Sequence, residues 1–158
     1  LLNKDGVKIV ANTELLLMFS ARAQHLEEVI YPALRENIWV LCDRFTDSSY
    51  AYQGAGRGVP FSIIKRIESA IQDSFKPDLT ILLSGDIETG MRRVANRGEK
   101  DRFEIEKLEF FERVRHSYLQ LAKTNPERYA IIDADQKIEQ VTMAIQSAVG
   151  KRFAELII

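Results

Sequence analysis

Apolar positions along the chain fall into helical stripes separated by short continuous runs. Residues 13–36 carry a long helical pattern, with Asn12 or Thr13 as its cap and Glu14 in its first turn. Pro32 should kink its last turns or end them early. "IWVLC" (38–42) is a short apolar run rich in strand formers, consistent with a buried strand. Ile64, Ile67, Ile71 and Phe75 return to helical spacing, and Pro77-Asp78 closes that helix. "LTILL" (79–83) predicts a second strand, and a helix from about Ile87 follows, interrupted at Gly98. Leu108, Phe111, Val114, Tyr118 and Leu121 mark another helix, "YAIID" (129–133) a third strand, and Ile138, Val141, Ile145 and Val149 a last helix. Apolar strands alternating with helices predict an α/β fold, a parallel sheet covered on both sides. Such sheets bind ligands at the carboxyl ends of their strands. Asp43-Arg44, Ser84 to Asp86 and Asp133 to Asp135 are therefore the polar groups of interest.

Composition narrows the classes. The 158 residues suit one compact domain, with 46% apolar and 28% charged residues. No repeat, low-complexity tract or long linker divides them. A net charge of −1 argues against a general nucleic-acid or membrane-surface binder. No run has transmembrane length, and no signal peptide opens the chain. Cys42 is the only cysteine, which excludes an internal disulfide, fits a reducing cytoplasm and reads as buried packing. His25 and His116 lie on separate helical patterns, which disfavours zinc. Leu1-Leu2-Asn3 has no initiator methionine and reads like the tail of an apolar helix, so further residues are expected upstream.

Five groups bear on candidate chemistry. Arg44 could grip a phosphate with its planar fork while Asp43 orients it or holds a metal-bound water; a structural ion pair is the equal alternative. Ser48, Ser49, Tyr52 and Gln53 follow within two turns. At helical spacing Ser49 and Gln53 share a face and could read the edge of a base, with Tyr52 as a wall or sugar contact. A capped short helix with a packed tyrosine is the alternative, and it leaves Gln53 poorly explained. Gly54, Gly56 and Gly58 are spaced GxGxG after a helix-like turn, which excludes a dinucleotide fingerprint and leaves a flexible turn that lets Arg57 reach over a ligand. "RRVANRGEKDRFE" (92–104) carries Arg92, Arg93, Arg97, Lys100 and Arg102 around Gly98. It is either a solvated face or a lid that clamps phosphates. Phe19 and Met18 read as core, whereas Arg22 on the same apolar stretch must meet an acid or a ligand.

Taken together, "LLLMFSARAQH" (15–25), "DRFTDSSYAYQGAGRG" (43–58), "RGEKDRFE" (97–104) and "DA" (133–134) resemble thymidylate kinase along the whole chain. Within that family it resembles the bacterial type with its catalytic arginine in the lid. The resemblance implies a P-loop nucleoside-monophosphate-kinase fold, with helices on both faces of a parallel sheet. It implies a single domain over 1–158 with a lid near 97–104. The implied reaction is phosphorylation of dTMP to dTDP with ATP and Mg2+, in the cytoplasm. A homodimer through helices 13–36 and 61–75 is also implied, with no nucleic-acid or membrane partner.

By the same resemblance, Arg44 would hold the dTMP phosphate, with Asp43 near the magnesium waters. Arg22 would bond a thymine carbonyl near Phe19, Ser49 and Gln53 would read the rest of the base, and Tyr52 would sit by the sugar. Arg97 and Arg102 would bridge the ATP phosphates, and these two with Asp43 would form the catalytic set. Arg93 would lie along the adenine, whose pocket Asp133 and Ala134 would complete.

Three departures stand out. Ser84 replaces the family's usual Asp at its strand end, and Ile87 a Pro. No GxxxxGK[ST] occurs in the sequence, so the phosphate cradle and the first two strands are expected upstream of Leu1. Without them the chain as written is expected to be inactive. The alternative is a non-catalytic deoxynucleotide-binding fragment or paralogue, and a weaker one is another nucleotide kinase of the same fold.

Overall fold

The computed structural model describes residues 9–97 and 106–154. They fall into two compact units that meet in sequence between Phe75 and Lys76.

In the first unit, α1 (Ala11–His25) starts after an extended Val10 and without a side-chain cap. Asn12 and Thr13 are therefore inside the helix rather than capping it. Apolar spacing marks the buried face of a helix and not its first residue, and this start falls two residues early. Leu15 and Phe19 supply that face and pack with Val59 and Ile64. A π-helical turn, Leu26–Ile30, joins α1 to α2 (Tyr31–Arg35). Tyr31 N–H there donates five residues back, to the Leu26 carbonyl. The widened turn lies just before Pro32, whose ring and missing N–H disrupt the ordinary ladder. The helical path thus passes through Pro32 and stops at Arg35. It ends in a Schellman arrangement: Asn37 has φ 55°, and Ile38 N–H donates to Ala33 O at 2.9 Å.

The expected strand at 38–42 is not formed. No strand pairs with it among the described residues, and a strand is held by its neighbour's hydrogen bonds. Ile38, Trp39 and Leu41 are exposed, Leu41 fully. Cys42 is half-buried rather than buried.

Helix α3 (Thr46–Ser49) runs into a second π-helical stretch, Tyr50–Gly56. Gly54 within it and Gly58 beyond it have a structural use. A Cβ on Gly54 would lie 2.5 Å from Phe61 Cε1, and Gly58 takes φ 80°. Helix α4 (Phe61–Gln72) then ends at Asp73, with φ 48°, well before Pro77. Phe75, expected on its stripe, lies past its end. Gln72 accepts from Thr46 Oγ1 at 2.6 Å and donates to Phe75 O at 2.9 Å, which fixes that exit. The Phe75 ring meets Tyr31 and Phe45 edge-on, beside the Leu26, Ile30 and Phe45 cluster.

The second unit holds β1 (Thr80–Ser84), α5 (Ile87–Arg97), α6 (Leu108–Thr124), β2 (Tyr129–Asp133) and α7 (Ile138–Arg152). The strands pair in parallel, from Thr80↔Tyr129 to Ser84↔Asp133. Strand β1 sits one residue later than the apolar run because the pairing extends to Ser84. Leu83 and Ile131 remain half exposed, so the expected cover on both faces is incomplete within this unit. Register places the two strand ends, Ser84 and Asp133, side by side.

Candidate functional site

Arg22 sits on α1 with its guanidinium 4.5 Å above the Phe19 ring and 5.4 Å from that of Phe45. Its Nη2 donates to Ser49 Oγ at 3.2 Å and to Phe45 O at 3.4 Å. Burial holds this guanidinium below its usual pKa, opposed by Cys42, Glu68 and Asp47. Phe19 is fully buried, as expected for core, and presents a ring face to Arg22. Tyr50, whose ring meets Phe61 edge-on, donates to Glu68 Oε2 at 2.5 Å. Burial, then that bond, pushes its phenol well above the ordinary range.

Arg44 is exposed and adopts φ 67°, a left-handed conformation that non-glycine residues rarely take. Such backbone persists where surroundings over-determine it, and functional loops are common sites. Its guanidinium lies 4.8 Å from the Tyr52 ring centroid. Asp43 is exposed beside it. Cys42 Sγ donates to Arg44 O at 3.3 Å, and burial raises the thiol's pKa against the pull of Arg22. A raised thiol pKa fits packing better than nucleophilic chemistry.

Gln53 is buried and its Nε2 donates to Glu14 Oε1 at 2.9 Å. Arg57 Nε lies 3.6 Å from the same oxygen. Arg57 therefore packs against Glu14, and it does not swing free on the glycine turn. Ser49 and Gln53 both turn toward α1, but meet it two turns apart, at Arg22 and Glu14. Glu14 was read only as a first-turn acid. Its signal was available: a carboxylate placed directly before Leu15, Leu16 and Leu17 on an apolar stretch.

In the second unit, the two strand-end loops are knitted together. Ala134 N–H donates to Ser84 O at 3.0 Å, and Asp86 N–H donates to Asp135 Oδ2 at 2.6 Å. Asp133 Oδ1 accepts from Asp135 N–H at 2.9 Å, which shapes the turn. Gly85 lets the Asp135 carboxylate approach closely, since a Cβ there would lie 2.9 Å from its Oδ1. Arg93 reaches this loop from α5, donating to Ala134 O at 3.3 Å and lying 4.0 Å from Asp135. The structure thus brings Arg93, Asp133 and Ala134 together, and adds Asp135. Arg97 closes α5, but its side chain, Arg102 and the lid at 98–104 lie outside the described residues.

Asp86 also starts α5: Thr89 N–H donates to its Oδ2 at 2.8 Å. That backbone bond first, then the Thr89 hydroxyl, holds the Asp86 carboxyl below its usual range, with Arg92 and Arg115 adding to the effect. A depressed folded pKa stabilises above the unfolded value and is lost as pH falls through the folded one. Asp86→Ala is expected to lower the thermal midpoint near neutral pH. Wild type and variant should converge in acid, and melts across that window check it.

Comparison with known proteins gives a consistent family. The family model described as "Thymidylate kinase" matches residues 1–145. A thymidylate kinase of Hahella chejuensis is 49% identical over 146 residues, covering 92% of this chain and 70% of that protein. One from Pseudomonas putida is 51% identical over 139 residues, covering 88% and 67%. Among solved structures, thymidylate kinase from Ehrlichia chaffeensis superposes with a TM-score of 0.71 at 27% identity, covering 93% of this chain and 69% of that one.

Proposed function

Because the chain belongs to the thymidylate kinase family and has its α/β fold, we propose that it phosphorylates dTMP to dTDP with ATP as donor. The observation that carries this reading is the half-buried Arg22 of α1 bonded to the buried Ser49, with the buried Gln53 also turned to α1 and Arg44 exposed beside them in sequence. Arg22 offers donors to a thymine carbonyl, Gln53 and Ser49 meet the rest of the base edge, and Phe19 backs the ring. Arg44 takes the phosphate, supported by Tyr52, which also borders the sugar.

In the second unit, Arg93 with Asp133 and Ala134 lines the place of the donor's base, and Arg97 and Arg102 meet its phosphates. A phosphate oxygen of dTMP attacks the γ-phosphorus of ATP, and ADP leaves. The protein's part is to hold both nucleotides and to neutralise charge on the transferring group. Mg2+ enters with the ATP phosphates as part of the donor substrate. No group of three or more His, Cys, Asp or Glu among the described residues is placed to hold a metal. Asp43, a single exposed carboxylate, fits contact through a water.

One domain over both units is part of this reading, supported by the unbroken family match over 1–145. So is a homodimer through 13–36 and 61–75, where Leu16, Leu17, Val29 and Phe61 are exposed apolar groups. A cytoplasmic setting is supported by the single cysteine, which forms no internal disulfide. Among the described residues no helix is long and apolar enough to cross a membrane.

A panel of nucleoside monophosphates with ATP and Mg2+, using the full-length protein, tests the activity. dTMP should be the preferred acceptor. Preference for AMP or dGMP would make this a different nucleotide kinase. dTMP binding with no dTDP formed would leave the non-catalytic reading.

A further inference from the structure

We propose that Glu14 is a positioning residue that sets which hydrogen-bonding atom Gln53 offers to the base, and so selects thymine over cytosine. This rests on the reading of Gln53 as a base-contacting residue. A glutamine amide can present either an acceptor or a donor, and rotation by half a turn exchanges them. Alone, Gln53 would discriminate poorly between a ring nitrogen that carries hydrogen and one that does not. Thymine carries N–H at that ring position, whereas cytosine carries a bare acceptor nitrogen.

Glu14 removes the ambiguity. It is fully buried on α1, and Gln53 Nε2 lies 2.9 Å from its Oε1. Arg57 Nε, 3.6 Å from the same oxygen, supplies the counter-charge. The Glu14 oxygen that faces Arg57 accepts, and it is the nitrogen end of the Gln53 amide that meets it. Oε1 is then the atom that Gln53 has left for a ligand, an acceptor that matches the thymine N–H and opposes the cytosine nitrogen. Turning the amide over would set two oxygens against each other in a buried place, which is costly. Helix α1 thus contributes twice to base reading: Arg22 as a donor and Glu14 through the amide it fixes.

The test uses dTMP and dCMP affinities of the full-length protein, measured by calorimetry for wild type and E14Q. An amide at position 14 can donate or accept, so Gln53 is free to turn. The ratio of dTMP to dCMP affinity should fall by roughly tenfold, through weaker dTMP and stronger dCMP binding. The double variant E14Q/Q53E puts an obligate acceptor at position 53 and a donor at 14, and should restore the ratio. A merely structural Glu14 would lower both affinities by one factor; an unchanged ratio in E14Q overturns the proposal. If E14Q does not fold, the double variant decides: retained selectivity supports the inference, and lost selectivity overturns it. A wild-type protein that does not favour dTMP overturns the underlying site reading together with the inference. An unchanged ratio in E14Q leaves that reading standing.

Discussion

Arg22→Met is expected to weaken dTMP binding by roughly a hundredfold while leaving the protein folded. Methionine keeps a long apolar stem against Phe19 and Phe45 but removes every donor. A hydrogen bond from a charged group to a ligand carbonyl is worth about 1.5–3 kcal/mol, which sets the size of the loss. Stability responds differently, because opposing effects meet there. Ser49 Oγ and Phe45 O lose their guanidinium partner, and the loop after Phe45 loses a tie to α1. At the same time a buried cation, held below its usual pKa by desolvation, is removed. Replacing a buried charge by an apolar group of similar length is often close to neutral. Calorimetry with dTMP, alongside a thermal melt, separates the two effects. Unchanged dTMP affinity in a folded variant would remove Arg22 from the base site.

Arg97→Ala is expected to do the reverse, lowering turnover by roughly a thousandfold with little change in dTMP affinity. An arginine that meets the transferring phosphoryl group acts chiefly in the transition state, where it is worth about 10³ or more in rate. Arg97 ends α5, one turn beyond Arg93, which reaches the Ala134 carbonyl at the strand-end loop. The groups read as holding dTMP, Arg22 and Arg44, are not the ones truncated, so dTMP affinity is expected to hold. Steady-state kinetics at saturating ATP, with dTMP binding measured separately, gives the comparison. Near-normal turnover would end the lid assignment. A loss confined to dTMP affinity would move Arg97 to the acceptor side.

How far the sequence disclosed this arrangement depended on whether each feature is local. Helix α6 was legible because one face meets a core at Phe110 and Val114, whereas α7 buries only Val141 of its stripe and leaves Ile138 exposed. That β1 and β2 are parallel strands followed from two apolar runs separated by helices; that they are neighbours did not. The segment at 38–42 misled because composition can suggest a strand but cannot supply its hydrogen-bonding neighbour. The ends of α1 and α4 also escaped periodicity. Backbone details set them: an extended Val10 in one case, left-handed Asp73 and the Gln72 side chain in the other.

Site residues divided in the same way. Arg22 was conspicuous as a cation on an apolar helix, and Arg44, Ser49 and Gln53 stood in a distinctive run. Glu14 was not singled out, since its partners Gln53 and Arg57 are about forty residues away and only folding joins them. The glycines carried less ligand chemistry than their spacing suggested. Gly54 makes room for Phe61, and Gly58 takes a left-handed turn.

The central claim is that the run from Asp43 to Gln53, with α1, is a dTMP site. A crystal structure of the full-length protein with dTMP measures this most directly. The account predicts the phosphate on Arg44 and the base edge at Arg22 and Gln53, with the sugar beside Tyr52. A nucleotide bound elsewhere, or with its base at Arg44 and its phosphate at Arg22, would contradict it.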